Sequence, residues 1–219
     1  HLVERLATTR HRLRCLVRKT SNVRYLNEIG AELVFGDVTD RESLRQGMVG
    51  CDWVIHLANV YSLWEPDRRV YWTVNVEGTR NVMESALDAA VAKVVHVSTA
   101  TVYGKPASCP FTEDTPVGPV RFSEYARTKY AGDQIAWTLH EQKGLPLVML
   151  YPGVVVGSGD RKVSGQFIRD LVERRLPAIA CPDAVLTFVH VRDVVEAIVR
   201  AAEHPDTIGK RYLLGKYHL

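Results

Sequence analysis

Cysteine is scarce in this chain of 219 residues: Cys15, Cys51, Cys109 and Cys181 stand far apart, with no Cys-x-x-Cys pair. That spacing argues against a disulfide frame or a zinc site and reads as reduced, mostly buried thiols in a cytosolic, cytoplasmic protein. The histidines are scattered and form no His-Glu-x-x-His, so no metal is expected. No apolar run approaches the roughly 20 residues that span a bilayer. No signal peptide is read at the start, so no membrane partner is expected. A dominant charge sign is lacking too: 28 Lys and Arg face 25 Asp and Glu, a formal net charge of +3. The basic residues are spread along the chain, densest between Arg10 and Lys19, which leaves no nucleic-acid footprint. Neither an internal repeat nor a low-complexity segment is present. What remains is ordinary globular composition, 46% hydrophobic and 24% charged, at a length that suits one large α/β domain or two small ones.

The hydrophobic pattern alternates between short apolar runs and amphipathic stretches. Strands are expected over residues 12–18, 31–37, 52–58, 93–98, 147–151, 186–189 and 211–214. Helices are expected over 1–7, 22–29, 41–48, 74–90, 123–142, 163–174 and 191–203. Gly30 and Gly144 are placed to stop the second and fifth helices, and Thr39 or Asp40 to cap the third. Strands apolar throughout and separated by helices predict a doubly wound parallel sheet covered on both faces. Such sheets bind ligands at the carboxyl ends of their strands.

The residues at those ends are Arg18 and Lys19, Asp37 and Val38, Ala58 and Asn59, Ser98 and Thr99, and Pro152 and Gly153. The set is consistent with a dinucleotide. A cation after the second conventional strand accommodates a ribose 2′-phosphate where an acid would hold the free hydroxyl, so Arg18 and Lys19 favour NADP, with NAD the alternative. The plainer reading is that they solvate a strand end. Asp37 could accept from an adenine amine or cap the helix that follows it.

Tyr125 and Lys129 are four residues apart in the first turns of the fifth helix, so both lie on one face. An ammonium beside a phenol favours the ionised form and should lower its pKa toward neutrality. A tyrosine tuned that way is a general acid or base for a carbinol or carbonyl oxygen. Taken alone, the pair is equally a surface feature of an amphipathic helix.

With these residues in view, the chain resembles the extended short-chain dehydrogenase/reductase superfamily, the NAD(P)-dependent epimerase/dehydratase group. The resemblance rests on Gly36-Asp37-Val38-Thr39-Asp40, His56-Leu57-Ala58, Asn75-Val76-Glu77-Gly78-Thr79, Ser98 through Gly104, Thr112 through Pro116, Tyr125 with Lys129, Tyr151-Pro152-Gly153-Val154 and Phe188 through Val194. It implies a Rossmann-type fold with a small substrate-binding subdomain. Residues 1–153 would form the dinucleotide domain, and 154–219 a mixed region holding part of that subdomain and the last Rossmann elements. It further implies Tyr125 as acid/base, Lys129 lowering its pKa and bonding the nicotinamide ribose, Thr99 orienting the substrate oxygen and Ser98 as a possible substitute. Asn75 would support the active-site water network, Asp37 and Val38 the adenine pocket, and Leu57, Ala58 and Asn59 the pyrophosphate and ribose edge. Tyr151, Pro152, Gly153 and Val154 would pack on the nicotinamide.

Arg18, Lys19 and the loop Tyr61-Ser62-Leu63-Trp64 look like the dihydroflavonol-reductase-like branch, whereas Thr101 through Gly104 looks more like nucleotide-sugar epimerases. The implied substrate is a small molecule, either a nucleotide sugar or an aldehyde or ketone such as a flavonoid- or steroid-like compound. A homodimer is implied through the helices at 76–90 and 123–142. Family members open with a strand and a glycine-rich turn, and neither is read here, so the first strand and that turn are expected to be missing from this chain. A dinucleotide-binding protein of the same fold that no longer catalyses is the alternative, although such members typically lose Tyr or Lys. Tyr61 and Trp64 either line the substrate pocket or fill local core. His190 reads as structural.

Overall fold

The computed structural model describes residues 1–62, 64–107, 110–160, 163–175, 185–215 and 217–218. Helix α1 (Leu2–Ala7) leads to β1 (Arg14–Val17), α2 (Arg24–Glu28), β2 (Glu32–Phe35), α3 (Arg41–Met48) and β3 (Trp53–His56). A continuous helix follows in three parts: α4 (Arg69–Tyr71), a π-helical stretch (Trp72–Gly78) and α5 (Thr79–Asp88). Then come β4 (Lys93–Val97), a 3₁₀ turn (Ala100–Tyr103), α6 (Glu124–Lys143), β5 (Leu147–Pro152) and β6 (Val154–Val156). The chain continues through α7 (Val163–Val172), β7 (Thr187–His190), α8 (Val191–Glu203), β8 (Arg211–Leu214) and β9 (Tyr217–His218).

Strands β3, β4, β5 and β8 form a parallel sheet in the order 3-4-5-8. Its inner strands are buried on both faces because successive side chains point opposite ways. Val94, Leu147, Met149 and Tyr151 meet Met83, Ala86, Ala136 and Leu139 of α5 and α6. Val95, Val148 and Leu150 meet Val194, Ile198, Ala201 and Ala202 of α8. Each Val, Leu, Ile or Met among these contributes about 1.5–3 kcal/mol by leaving water.

Strands β1 and β2 pair in parallel as a separate ribbon. Between β1 and β3 lies a groove of about 1100 Å³, lined by Leu2, Leu6, Leu13, Cys15, Val54 and Ile55 among others. Cys15 and Cys51 line this groove as free, half-buried thiols rather than fully buried ones; Cys109 and Cys181 lie outside the described residues. At Gly153 the chain leaves β5 for a further sheet of β6, β7 and β9. A Cβ on Gly153 would lie 2.4 Å from the Thr187 carbonyl, so only glycine allows this approach.

The helix starts follow the sequence. Asp40, rather than Thr39, caps α3 by accepting from the Glu42 and Ser43 amides. Ser123 caps α6 by accepting from the Ala126 amide at 3.1 Å, and α6 ends at Gly144 as expected. The helix expected over 74–90 begins earlier, at Arg69, and is wound wider at its centre. Gly132 of α6 packs there, where a Cβ would meet the Asn75 carbonyl at 2.6 Å. Among the described residues no helix is long and apolar enough to cross a membrane.

Candidate active site

Tyr125 lies in the first turn of α6 and is buried, with its ring edge-on to Tyr61 at 5.4 Å between centroids. Thr99, just beyond β4, is near enough for its side chain to lower the phenol's pKa. Thr99 itself caps the 3₁₀ turn, accepting from the Thr101 amide and lying 3.1 Å from the Thr101 hydroxyl. One turn along α6, the Lys129 ammonium is buried and donates to the Val97 carbonyl at 3.1 Å. The helix face expected from the spacing of Tyr125 and Lys129 is therefore real, and it faces the carboxyl end of β4.

The phenol is held above its ordinary value, chiefly by burial, with Tyr61 and Asp133 adding to the rise and the Thr99 side chain offsetting part of it; the lowering expected from Lys129 is not among these influences. Burial lowers the pKa of the Lys129 ammonium as well. Lys129 is instead coupled to Asp133, whose charge opposes the loss of its proton.

Behind Tyr125 lies a buried polar network that the sequence reading missed. Asp133 accepts from the Ser98 hydroxyl at 2.6 Å and lies 2.9 Å from His96 Nε2. Ser98 thus commits its proton behind the site, whereas Thr99 faces Tyr125. His96 stacks on His56 at 5.1 Å, and burial pushes both imidazoles well below their usual value, so both are neutral. His56 Nε2 is 3.1 Å from the Thr79 hydroxyl, whose single proton goes to the Asn75 carbonyl at 2.8 Å. His56 must therefore carry its proton on Nε2. Burial raises the Asp133 carboxyl to about 7, against the lowering influences of Lys129, Ser98 and Arg211. The signal that could have found Asp133 is its spacing, four residues past Lys129 and eight past Tyr125 on one helical face.

The other expected site residues divide by what they already hold. Asn75 is fully engaged: it accepts from the Val60 amide at 2.7 Å and donates to Thr128 at 3.1 Å, tying the loop after β3 to α6. Asp37 accepts from the amide and hydroxyl of Thr39, a turn that leads into α3 rather than its cap. Val38 is buried in the core beside α3 and α5. Arg18 and Lys19 are exposed beyond β1. Leu57 and Ala58 are exposed beyond β3, and Asn59 donates to the Leu57 carbonyl at 2.9 Å. The Asn59 side-chain oxygen is buried without a partner, a group in want of a donor.

Tyr151 and Pro152 end β5 and are buried, with the Tyr151 ring edge-on to Tyr103; Gly153 and Val154 are half-buried. Tyr61 and Trp64 are 44% and 71% exposed, so neither fills local core. Leu63, between them, lies outside the described residues. His190 caps α8 through Nδ1, a structural duty. No cluster of three or more His, Cys, Asp or Glu suited to a metal occurs among the described residues.

Known proteins resemble this chain in sequence and in fold. The sterol demethylase protein B of Methylococcus capsulatus is 32% identical over 221 residues, which cover 100% of this chain and 66% of that protein. Among solved structures, gox2253 is 34% identical with a TM-score of 0.90, over 100% of this chain and 66% of that one. A double mutant of the dTDP-glucose 4,6-dehydratase DesIV of Streptomyces venezuelae, solved with NAD bound, is 26% identical with a TM-score of 0.85, over 100% and 73%. The chain therefore spans just under two thirds of the first two. The family model for NAD dependent epimerases and dehydratases matches residues 1–215, a stretch that takes in β1 to β8 and the whole Tyr125–Lys129 helix, and the chain belongs to that family.

Proposed function

We propose that the chain carries the catalytic core of an NAD(P)-dependent oxidoreductase or epimerase/dehydratase acting on a small molecule with a carbinol or carbonyl carbon. The observation that carries this reading is a buried Tyr125 beside a buried Thr99, on one face of α6 with a buried lysine one helical turn on. A bound nicotinamide supplies the hydride donor or acceptor. Tyr125 gives a proton to the substrate oxygen or takes one from it, and Thr99 orients that oxygen. A phenol held protonated by burial is ready as a general acid, the part that carbonyl reduction requires. Lys129 keeps a positive charge one turn behind the phenol.

The residues present suit a dinucleotide. The unpartnered oxygen of Asn59 is fitted to accept from a ribose hydroxyl. Leu57 and Ala58 beside it leave an open rim, and Asp37 and Val38 form the adenine edge. Arg18 and Lys19 favour the 2′-phosphate of NADP over NAD. Tyr151, Pro152, Gly153 and Val154 form the wall on the nicotinamide side. Exposed Tyr61 and Trp64 offer aromatic surface to a nucleotide sugar or to a flat aldehyde or ketone. Residues 1–153 form the cofactor domain. Residues 154–219 form a mixed region, in which β6, β7 and β9 begin the substrate side and β8 returns to the central sheet. A homodimer through α5 and α6, in a cytosolic setting, completes the reading, and gel filtration giving a monomer at micromolar concentration would remove the dimer.

The test is Tyr125→Phe in the whole protein, scored against aldehydes, ketones and nucleotide sugars. Turnover should fall by about 10²–10⁴-fold with NADPH binding retained; turnover equal to wild type overturns the reading. The raised phenol favours one other possibility, a dinucleotide-binding protein without turnover. NADPH binding by wild type with no turnover of any substrate would support it.

A further inference from the structure

Tyr125, Lys129 and Asp133 form a ladder down one face of α6, from the mouth of the site into the interior. Asp133 is 3% exposed, and both its oxygens are engaged by β4, one by Ser98 and the other by His96. His96 is neutral, so its bond to an ionised carboxylate requires the proton on Nε2, which leaves Nδ1 as the buried atom without a partner. The alternative, a protonated Asp133 donating to Nε2, would bury an unpaired N–H instead, which is the costlier orphan. Asp133 is the carboxylate that acts on the Lys129 ammonium.

The titratable and charged groups around Asp133 come from every neighbouring element. They are Tyr125, Lys129 and Tyr130 on its own helix, His96 on β4 with His56 stacked from β3, Tyr103 on the 3₁₀ turn, Tyr151 on β5 and Arg211 on β8. Beside Asp133 is a cavity of about 30 Å³, lined by Arg211, Tyr103, Tyr151 and Trp137 among others. It is large enough for one water or one added methylene.

We propose that Asp133 is a positioning residue for the reaction: with Ser98 and His96 fixing its carboxylate one helical turn past Lys129, it keeps Lys129 cationic and so sets the pH range in which the site as a whole works. Ser98 acts in this arrangement as the carboxylate's hydrogen-bond donor rather than as a substitute for Thr99. The inference rests on the reading of Tyr125 as acid/base. The working charge state is ionised Asp133 with protonated Lys129. The acid limb of the rate profile then follows Asp133 and the alkaline limb follows Lys129.

The test is the pH profile of kcat/KM for the whole protein and for Asp133→Asn, Asp133→Glu, Ser98→Ala and Tyr125→Phe. Asp133→Asn should lose the acid limb and move the alkaline limb down by about one unit or more, with a loss at pH 8 at least about ten times that at pH 6. Asp133→Glu, whose extra methylene the cavity accepts, should keep both limbs and lose less than about tenfold. Should Asp133→Asn not fold, Ser98→Ala decides: removing the donor should move the acid limb up. A uniform drop with both limbs in place, Asp133→Glu as impaired as Asp133→Asn, or an unmoved acid limb in Ser98→Ala overturns the inference. Wild-type turnover in Tyr125→Phe would instead remove the catalytic reading beneath it, so the two failures are told apart.

Discussion

The buried carboxyl of Asp133 should leave its mark on stability as well as on rate. Its pKa in the folded chain is about 7, against an ordinary 3.8. Between those values the folded state holds a proton that the unfolded state has released, so folding takes up a proton and stability falls as pH rises. The contribution is complete below about pH 4 and is lost by about pH 7. A window of about three units at about 1.4 kcal/mol each sets a ceiling of about 4 kcal/mol. His56 and His96 act in the opposite sense, because they are buried neutral and cost stability as pH falls through their ordinary range near 6.5. His56 does not touch Asp133 and cancels between wild type and Asp133→Asn, so the comparison reports the carboxyl together with its 2.9 Å bond to His96. The assay is urea denaturation of both proteins in steps from pH 4.5 to 7.5, at matched m values. The advantage of wild type over Asp133→Asn should shrink by about 3 kcal/mol across that range. Curves that stay parallel within about 0.5 kcal/mol would refute the argument.

Two further predictions follow from the fold and the rim. Ala90 holds φ of +50° at the end of α5 and is exposed, so Ala90→Gly should relieve left-handed strain without losing packing. The expected gain is about 0.5–1 kcal/mol, or about 2–3 °C in Tm by calorimetry, and a lower Tm would contradict it. Replacing Arg18 and Lys19 together by Ser should weaken NADPH binding by about tenfold or more while leaving NADH within about threefold, read by fluorescence titration. Equal losses for both cofactors would show that the two cations merely solvate the end of β1.

Much of the architecture was legible because each signal was local. The apolar runs at 93–98 and 147–151 predict strands buried on both faces, and β4 and β5 are so placed. Asp40, Ser123 and Gly144 mark helix ends by chemistry that needs only near neighbours. The π-helical stretch at Trp72–Gly78 was not legible, since one wider turn leaves the spacing of apolar residues almost unchanged. The Tyr125–Lys129 face was legible, but its electrostatics were not. Whether a nearby ammonium or the surrounding apolar wall decides a phenol's pKa depends on burial, which is set by Tyr61, β4 and the packing of α6 together. His56 and His96 could have been singled out as polar residues inside apolar runs. Their bond partners, Thr79 and Asp133, come from distant segments that only the fold brings together.

The most direct measurement of the central claim is hydride transfer by the whole protein, followed at the 340 nm band of bound NADPH in single turnover with wild type and with Tyr125→Phe. If proton movement at residue 125 drives the chemistry, the variant should bind the cofactor with near wild-type affinity and transfer hydride at least about a hundredfold more slowly. Equal transfer rates in the two proteins would contradict the account.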